Sequence, residues 1–170
     1  MELNKLILTS RTTEIDTVAG RIISEYEKNE FGSDEYLASV FGLLKAASDR
    51  LTTAVKRIKA ESALEEKDEI RDSRVRALNY FVMGSRYNPD KQISGAAEAA
   101  GKIFDHYGME IIKESYAVES SLIESLLEEF MKPEMQAQAA LLPGLNRLLN
   151  DLRTAQIDFE AASLAYENEK

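Results

Sequence analysis

Apolar residues along this chain recur every three or four positions rather than every second one, the interval that stacks them on one face of a helix. Ile15, Ala19, Ile22 and Tyr26 form the first stripe, with Thr12 or Thr13 placed to cap it. Phe31-Gly32-Ser33 interrupts the pattern. Leu37, Val40, Phe41, Leu44, Leu51, Val55 and Ile58 then continue it, with Asp49, Arg50 and Lys56 off the stripe. A weaker boundary falls at Glu61-Ser62-Ala63-Leu64-Glu65, followed by Ile70, Val75, Leu78, Phe81 and Val82.

The remaining punctuation comes from proline and glycine. Tyr87-Asn88-Pro89 ends the third helix, and Pro89 suits the first position of the next. That helix holds Ala96, Ala97, Ala99, Ala100 and Gly101, side chains small enough for close approach to a neighbour. Gly108 is either a turn or a kink, and a turn is favoured. Ile112, Tyr116, Ile123, Leu126 and Phe130 mark a fifth helix, and Lys132-Pro133 closes it. A short connector reaches Leu142-Pro143-Gly144, and Leu145, Leu148, Leu149, Leu152, Phe159 and Tyr166 mark the last helix. The expected helices cover residues 12–30, 34–60, 66–87, 90–107, 109–131 and 142–168. Residues 3–9 are the one stretch that reads as extended.

Short links between amphipathic helices imply antiparallel neighbours. The expectation is an all-α fold, an up-and-down antiparallel bundle of five to six helices in one domain of 170 residues.

Composition narrows the chemistry. With 44% hydrophobic and 30% charged residues the chain has the balance of a globular protein, and 8 Gly and 3 Pro leave long uninterrupted segments. The formal net charge of -9 opposes nucleic acid and anionic lipid. Lys56, Arg57 and Lys59, and Arg71, Arg74 and Arg76, all have acids close by and read as solvated faces. No segment has the length of a membrane span or a secretory signal, so the expected setting is cytoplasmic. The chain has no cysteine, which removes disulfides and thiolate chemistry. His106 is the single histidine, so two-histidine metal sites are excluded, and its place in the last turn of a helix suits a capping or packing role. Glycine-rich phosphate loops are absent. No catalytic residue, cofactor or metal is assigned.

Two polar groups stand out. Glu65, Asp68, Glu69 and Asp72 share one helix face. Carboxylates four apart can hold a hard cation, but that needs acids from a second helix and no comparable set is evident. A solvated helix start, neutralised by Lys67 and Arg71, is favoured for Asp68, Glu69 and Asp72. Arg71 falls in line with Val75, Leu78 and Val82, which puts its stem at the bundle boundary and its head out toward Asp68 or Asp72.

The second group comes from heptad steps along three stripes. Phe41, Leu44, Ser48, Leu51, Val55 carry one polar residue near the centre, as do Ile112, Tyr116, Glu119, Ile123, Leu126 and Leu149, Leu152, Gln156, Phe159, Ser163. Helices of equal length would bring Ser48, Glu119 and Gln156 to one level, with Arg74 as charge partner for Glu119. This layer either fixes helix register, the favoured reading, or lines a small ligand or metal site.

The segments Asp68-Glu69-Ile70-Arg71-Asp72, Ala96-Ala97 with His106-Tyr107-Gly108, Ser115-Tyr116 with Glu119, and Leu152 to Phe159 together resemble an uncharacterised helical-bundle family found largely in Bacteroidota. The resemblance implies a helical bundle of bacterial origin and carries no activity with it. The functional expectation is a non-enzymatic structural or protein-interaction bundle acting on a protein partner or a second copy of itself, with a ligand- or metal-binding bundle as the alternative.

Overall fold

The computed structural model describes residues 10–29 and 34–169. The expected extended segment at residues 3–9 lies outside them. The described chain is all-α: α1 (Thr12–Lys28), α2 (Glu35–Ser85), α3 (Lys91–Tyr107), α4 (Tyr116–Met131), α5 (Pro133–Ala139) and α6 (Leu145–Asn168), with a 3-10 turn at Met109–Lys113. It is a helical bundle, and no described helix is long and apolar enough to cross a membrane.

Local chemistry sets most of the ends. Asp34 accepts from the backbone N–H of Tyr36 and Leu37 at 3.0 and 3.1 Å and so caps α2. Asp90 does the same for α3 through Gln92 N–H at 2.8 Å. Gly108 ends α3 in the left-handed region, φ 72°, its N–H 2.7 Å from the Phe104 carbonyl. The turn expected there is present. Pro133 opens α5, where its missing N–H costs no bond.

Four boundaries differ from expectation. Pro89 is not the first residue of α3, which begins at Lys91 with Asp90 as its cap. Thr12 and Thr13 lie inside α1, whose first free N–H, on Arg11, is taken instead by the Glu14 carboxylate at 2.9 Å. The break at residues 61–65 does not exist. Ser62-Ala63-Leu64-Glu65-Glu66 contains neither glycine nor proline, and α2 runs through it. The expected helix 109–131 is divided by Glu114 and Ser115, so that α4 begins at Tyr116.

The chain groups into two compact units, one comprising residues 1–62 and 165–170, the other 63–164. The second holds a full core. Val75, Leu78 and Val82 of α2 meet Ala96, Ala97, Ala100 and Phe104 of α3, Ile123, Leu126 and Phe130 of α4, and Leu145, Leu149 and Leu152 of α6. The alanines of α3 permit close packing on α4 and α5. Gly101 has no side chain because the Arg86 guanidinium lies where a Cβ would stand; that arginine pairs with Asp105 at 3.0 Å.

The first unit is built differently. Tyr26 of α1 stacks on Phe41 of α2 with ring centroids 3.8 Å apart, Thr52 donates to Asp16 at 2.7 Å, and Lys45 pairs with Glu27 at 2.7 Å. Its buried described residues are only Ala19 and Ser48. Tyr36, Val40, Leu43 and Ile58 are exposed.

Candidate functional site

The one polar centre inside the second unit is built around Arg71. This residue falls on the α2 stripe of Leu64, Val75, Leu78 and Val82, and its side chain is 0% exposed. The stem does not carry the head to solvent, as the sequence led us to expect. The whole guanidinium is enclosed.

Its two terminal nitrogens are matched by partners, whereas the buried Nε has none among the described residues. Nη2 lies 2.7 Å from Asp68 Oδ1 on the same helix and 2.7 Å from Glu119 Oε2 on α4. Nη1 donates to Ser120 Oγ at 3.0 Å and to Gln156 Oε1, on α6, at 3.3 Å. The flat face of the group sits 3.6 Å from the Phe159 ring centroid, close enough for a cation–π contact in a desolvated setting. One arginine thus ties three helices. A lysine has neither the planar fork nor the stacking face.

Around this core lie secondary contacts. Gln156 passes the network on by donating from Nε2 to Glu160 Oε1 at 2.8 Å. Asp72, one turn before Arg76, accepts from it at 2.8 Å. Tyr116 meets Phe159 edge-on at 5.2 Å.

Two carboxylate oxygens remain without a partner among the described residues: Asp72 Oδ1 and Glu119 Oε1, both buried. The two carboxyl groups lie within hydrogen-bonding reach of each other. Ionised carboxylates only accept, so neither oxygen can satisfy the other unless one holds a proton. The electrostatics point the same way. Burial pushes the Glu119 carboxyl up to about 7; Arg71 pulls it back, but Asp68 and Asp72 add to the rise. Burial also raises Asp72, against the pull of Arg76. Glu119 sits in the first turn of α4, where a helix favours negative charge, and burial outweighs that too.

Charge balance supports a proton here. Asp68, Asp72 and Glu119 face two guanidinium groups, Arg71 and Arg76, which leaves one negative charge. A single proton shared between Asp72 and Glu119 cancels it. The same three carboxylates each bring an oxygen to within 4.8 Å of the others, a spacing that could also hold a cation. The sequence showed no acid on a second helix to complete the Asp68–Asp72 face; Glu119 of α4 is that acid. Glu69, the third member of the expected face, is exposed and takes no part.

The expected mid-bundle layer is redrawn in the same way. Glu119 and Gln156 are buried and are joined through Arg71. Arg74 is exposed and is not the partner of Glu119. It lies about 60° around the helix from Arg71, which alone keeps the phase of Val75 and Leu78. Ser48 is buried, but it belongs to the first unit and the Arg71 hydrogen bonds do not include it. The premise of shared midpoints fails because α2 is continuous and α4 starts only at Tyr116. His106 is exposed in the last turn of α3, its ring edge-on to Tyr107 at 5.1 Å.

Two open hollows lie between α4 and α6. One, of about 310 Å³, is lined by Leu127, Phe130, Asn146, Asn150 and Arg153 among others. The other, of about 260 Å³, is lined by Glu124, Glu128, Arg153, Gln156 and Glu160. Neither is lined by Glu119 or Asp72, so the unpaired oxygens do not face these hollows.

Searches of curated proteins and of solved structures gave no match. A family model matches residues 61–170, which span the end of the first unit, the whole second unit with the Arg71 centre, and the end of α6. This chain belongs to the family described as a family of unknown function, DUF6261.

Proposed function

We propose that this protein is a non-enzymatic interaction module of the bacterial cytoplasm, in which the second unit is a closed, self-sufficient bundle and the first unit supplies the surface that binds another protein. The observation that carries this reading is the contrast in burial. The second unit encloses a continuous core, whereas the first buries only Ala19 and Ser48 among its described residues and exposes Tyr36, Val40, Leu43 and Ile58. The described parts of this unit leave that face of α2 uncovered, and contiguous apolar surface left to water marks an interaction site. The partner is a protein surface rather than a polyanion, since the net charge is -9. The Arg71 centre fits a structural role in this reading, because both terminal nitrogens of the guanidinium are directed at side chains of its own unit.

Replacing Val40 and Leu43 by serine tests it. Both are exposed, so the double variant is expected to keep the thermal stability of the parent within about 0.5 kcal/mol. In gently lysed cells the parent chain should elute well above its 19.1 kDa mass and the variant near it. A parent chain that elutes as a monomer, or a variant that elutes with it, contradicts the proposal.

A further inference from the structure

The exposed apolar residues of α2 fall on a single narrow line. At about 100° per residue, Tyr36, Val40, Leu43, Ala47, Ala54 and Ile58 all lie within about 40° of one direction on the helix. All six are exposed; Tyr36 is 76%, Leu43 72% and Ile58 65% accessible. The residues that meet α1, namely Phe41, Lys45 and Thr52, lie about 140° to 180° away from that line. The stripe is therefore a second face of α2, distinct from the one α1 covers. It is about 33 Å long. Its first steps are of four, three and four residues, the spacing of a coiled-coil seam, and a step of seven follows, with the exposed Arg50 at the skipped position.

We propose that this stripe binds the same stripe of a second copy of this chain, antiparallel, about a two-fold axis at Ala47. The proposal rests on the reading of the first unit as the interaction part and names its partner. Three features of the residues select this occupant and this direction. The two-fold pairs apolar residues: it sets Tyr36 against Ile58, Val40 against Ala54, and Leu43 against Leu51, a half-buried residue bordering the stripe. Ala47 meets its own copy at the axis, where two methyl groups let the helices approach closely. The flanking charges are complementary only in this direction. Glu35 and Arg57 lie on the same side of the stripe at opposite ends, so antiparallel helices bring Glu35 of one copy to Arg57 of the other, twice per dimer. Parallel helices would place each flanking charge level with its own copy but on the opposite side of the seam, so Glu35 and Arg57 would not meet.

Sedimentation equilibrium of the purified full chain from low to high micromolar concentration tests this. A reversible dimer is expected. Leu43→Ser should weaken it about a hundredfold or more, since a large apolar side chain is lost twice, with an unchanged circular dichroism spectrum because Leu43 is exposed in the monomer. Glu35→Arg and Arg57→Glu should each weaken the dimer severalfold, and the double charge exchange should restore it. A chain that stays monomeric throughout overturns the proposal, as does a dimer insensitive to Leu43→Ser. A dimer weakened by both single charge changes without recovery in the double exchange overturns the antiparallel arrangement. Should the purified chain be monomeric while the cell-extract assembly persists and still depends on Val40 and Leu43, the second-copy proposal fails and the interaction reading stands.

Discussion

Arg71→Ala is expected to destabilise the second unit by about 3–5 kcal/mol, the cost of leaving a buried charge without its counterpart. The guanidinium holds Asp68 and Glu119 at 2.7 Å each, and its loss strands a glutamate whose side chain is 2% exposed. It also removes the links to Ser120 and Gln156 and the stack on Phe159. Arg71→Lys should recover little, because one ammonium cannot reach the same partners in a plane. Arg71→Met combined with Glu119→Gln should cost markedly less than the sum of the two changes made singly. Removing both charges leaves no fully buried charge stranded, only Asp68, which is 25% exposed, so the difference measures the Arg71–Glu119 coupling. Urea melts of the five variants (Arg71→Ala, Arg71→Lys, Arg71→Met, Glu119→Gln and the Arg71→Met/Glu119→Gln double) give these values. A loss below about 1 kcal/mol for Arg71→Ala would mean the side chain can turn out to solvent.

Glu119 carries the second large effect, and its sign follows from the direction of its shift. The folded carboxyl is raised from 4.5 to about 7 by burial, with Asp68 and Asp72 adding to it. Below pH 4.5 it is protonated in both folded and unfolded chains and costs nothing. Between the two values the folded chain holds a proton that the unfolded chain has released, so stability falls as pH rises. The decline is complete a little above pH 7 and amounts to roughly 3 kcal/mol at about 1.4 kcal/mol per pKa unit. Asp72, also raised, adds in the same direction. The protein is therefore expected to be more stable at pH 5 than at pH 8. Glu119→Gln should flatten that profile and leave the variant at least as stable as the parent at pH 8, since an amide can accept from Arg71 and donate to Asp72. Glu119→Ala should be destabilised at both. A parent profile that rises from pH 5 to pH 8 would mean that Arg71 outweighs burial at this carboxyl.

Periodicity alone made the helices visible, because each packs one stripe and the stripes survive in the bare order of residues. It overlooked the continuity of α2. Glu61 to Glu65 breaks the apolar pattern, but polarity does not end a helix unless the backbone also lacks a donor or gains freedom, as at Pro133 and Gly108. The polar centre was half legible. Glu119 and Gln156 interrupt apolar seams and are buried, as their positions implied. Arg71 shares the phase of Val75 and Leu78, and that phase was the available signal for its burial. It was discounted because a long stem can lift a charge to solvent, and only the acids of two helices around the head remove the need. Asp72 and Glu119 were not legible as a pair, since their approach depends on how α2 and α4 pack. The contrast between the two units was equally hidden. A stripe such as Tyr36, Val40, Leu43 looks like any core face until its neighbours are known.

Hydrogen exchange measures that contrast residue by residue. In dilute, monomeric protein the amides of residues 75–82 and 123–130, within the closed core, should exchange only through global unfolding. Amides of residues 36–58 should exchange at least a hundredfold faster, and should gain protection when the chain is concentrated enough to associate. Equal, concentration-independent protection in both segments would mean that the first unit is as self-sufficient as the second, and would contradict its role as the binding surface.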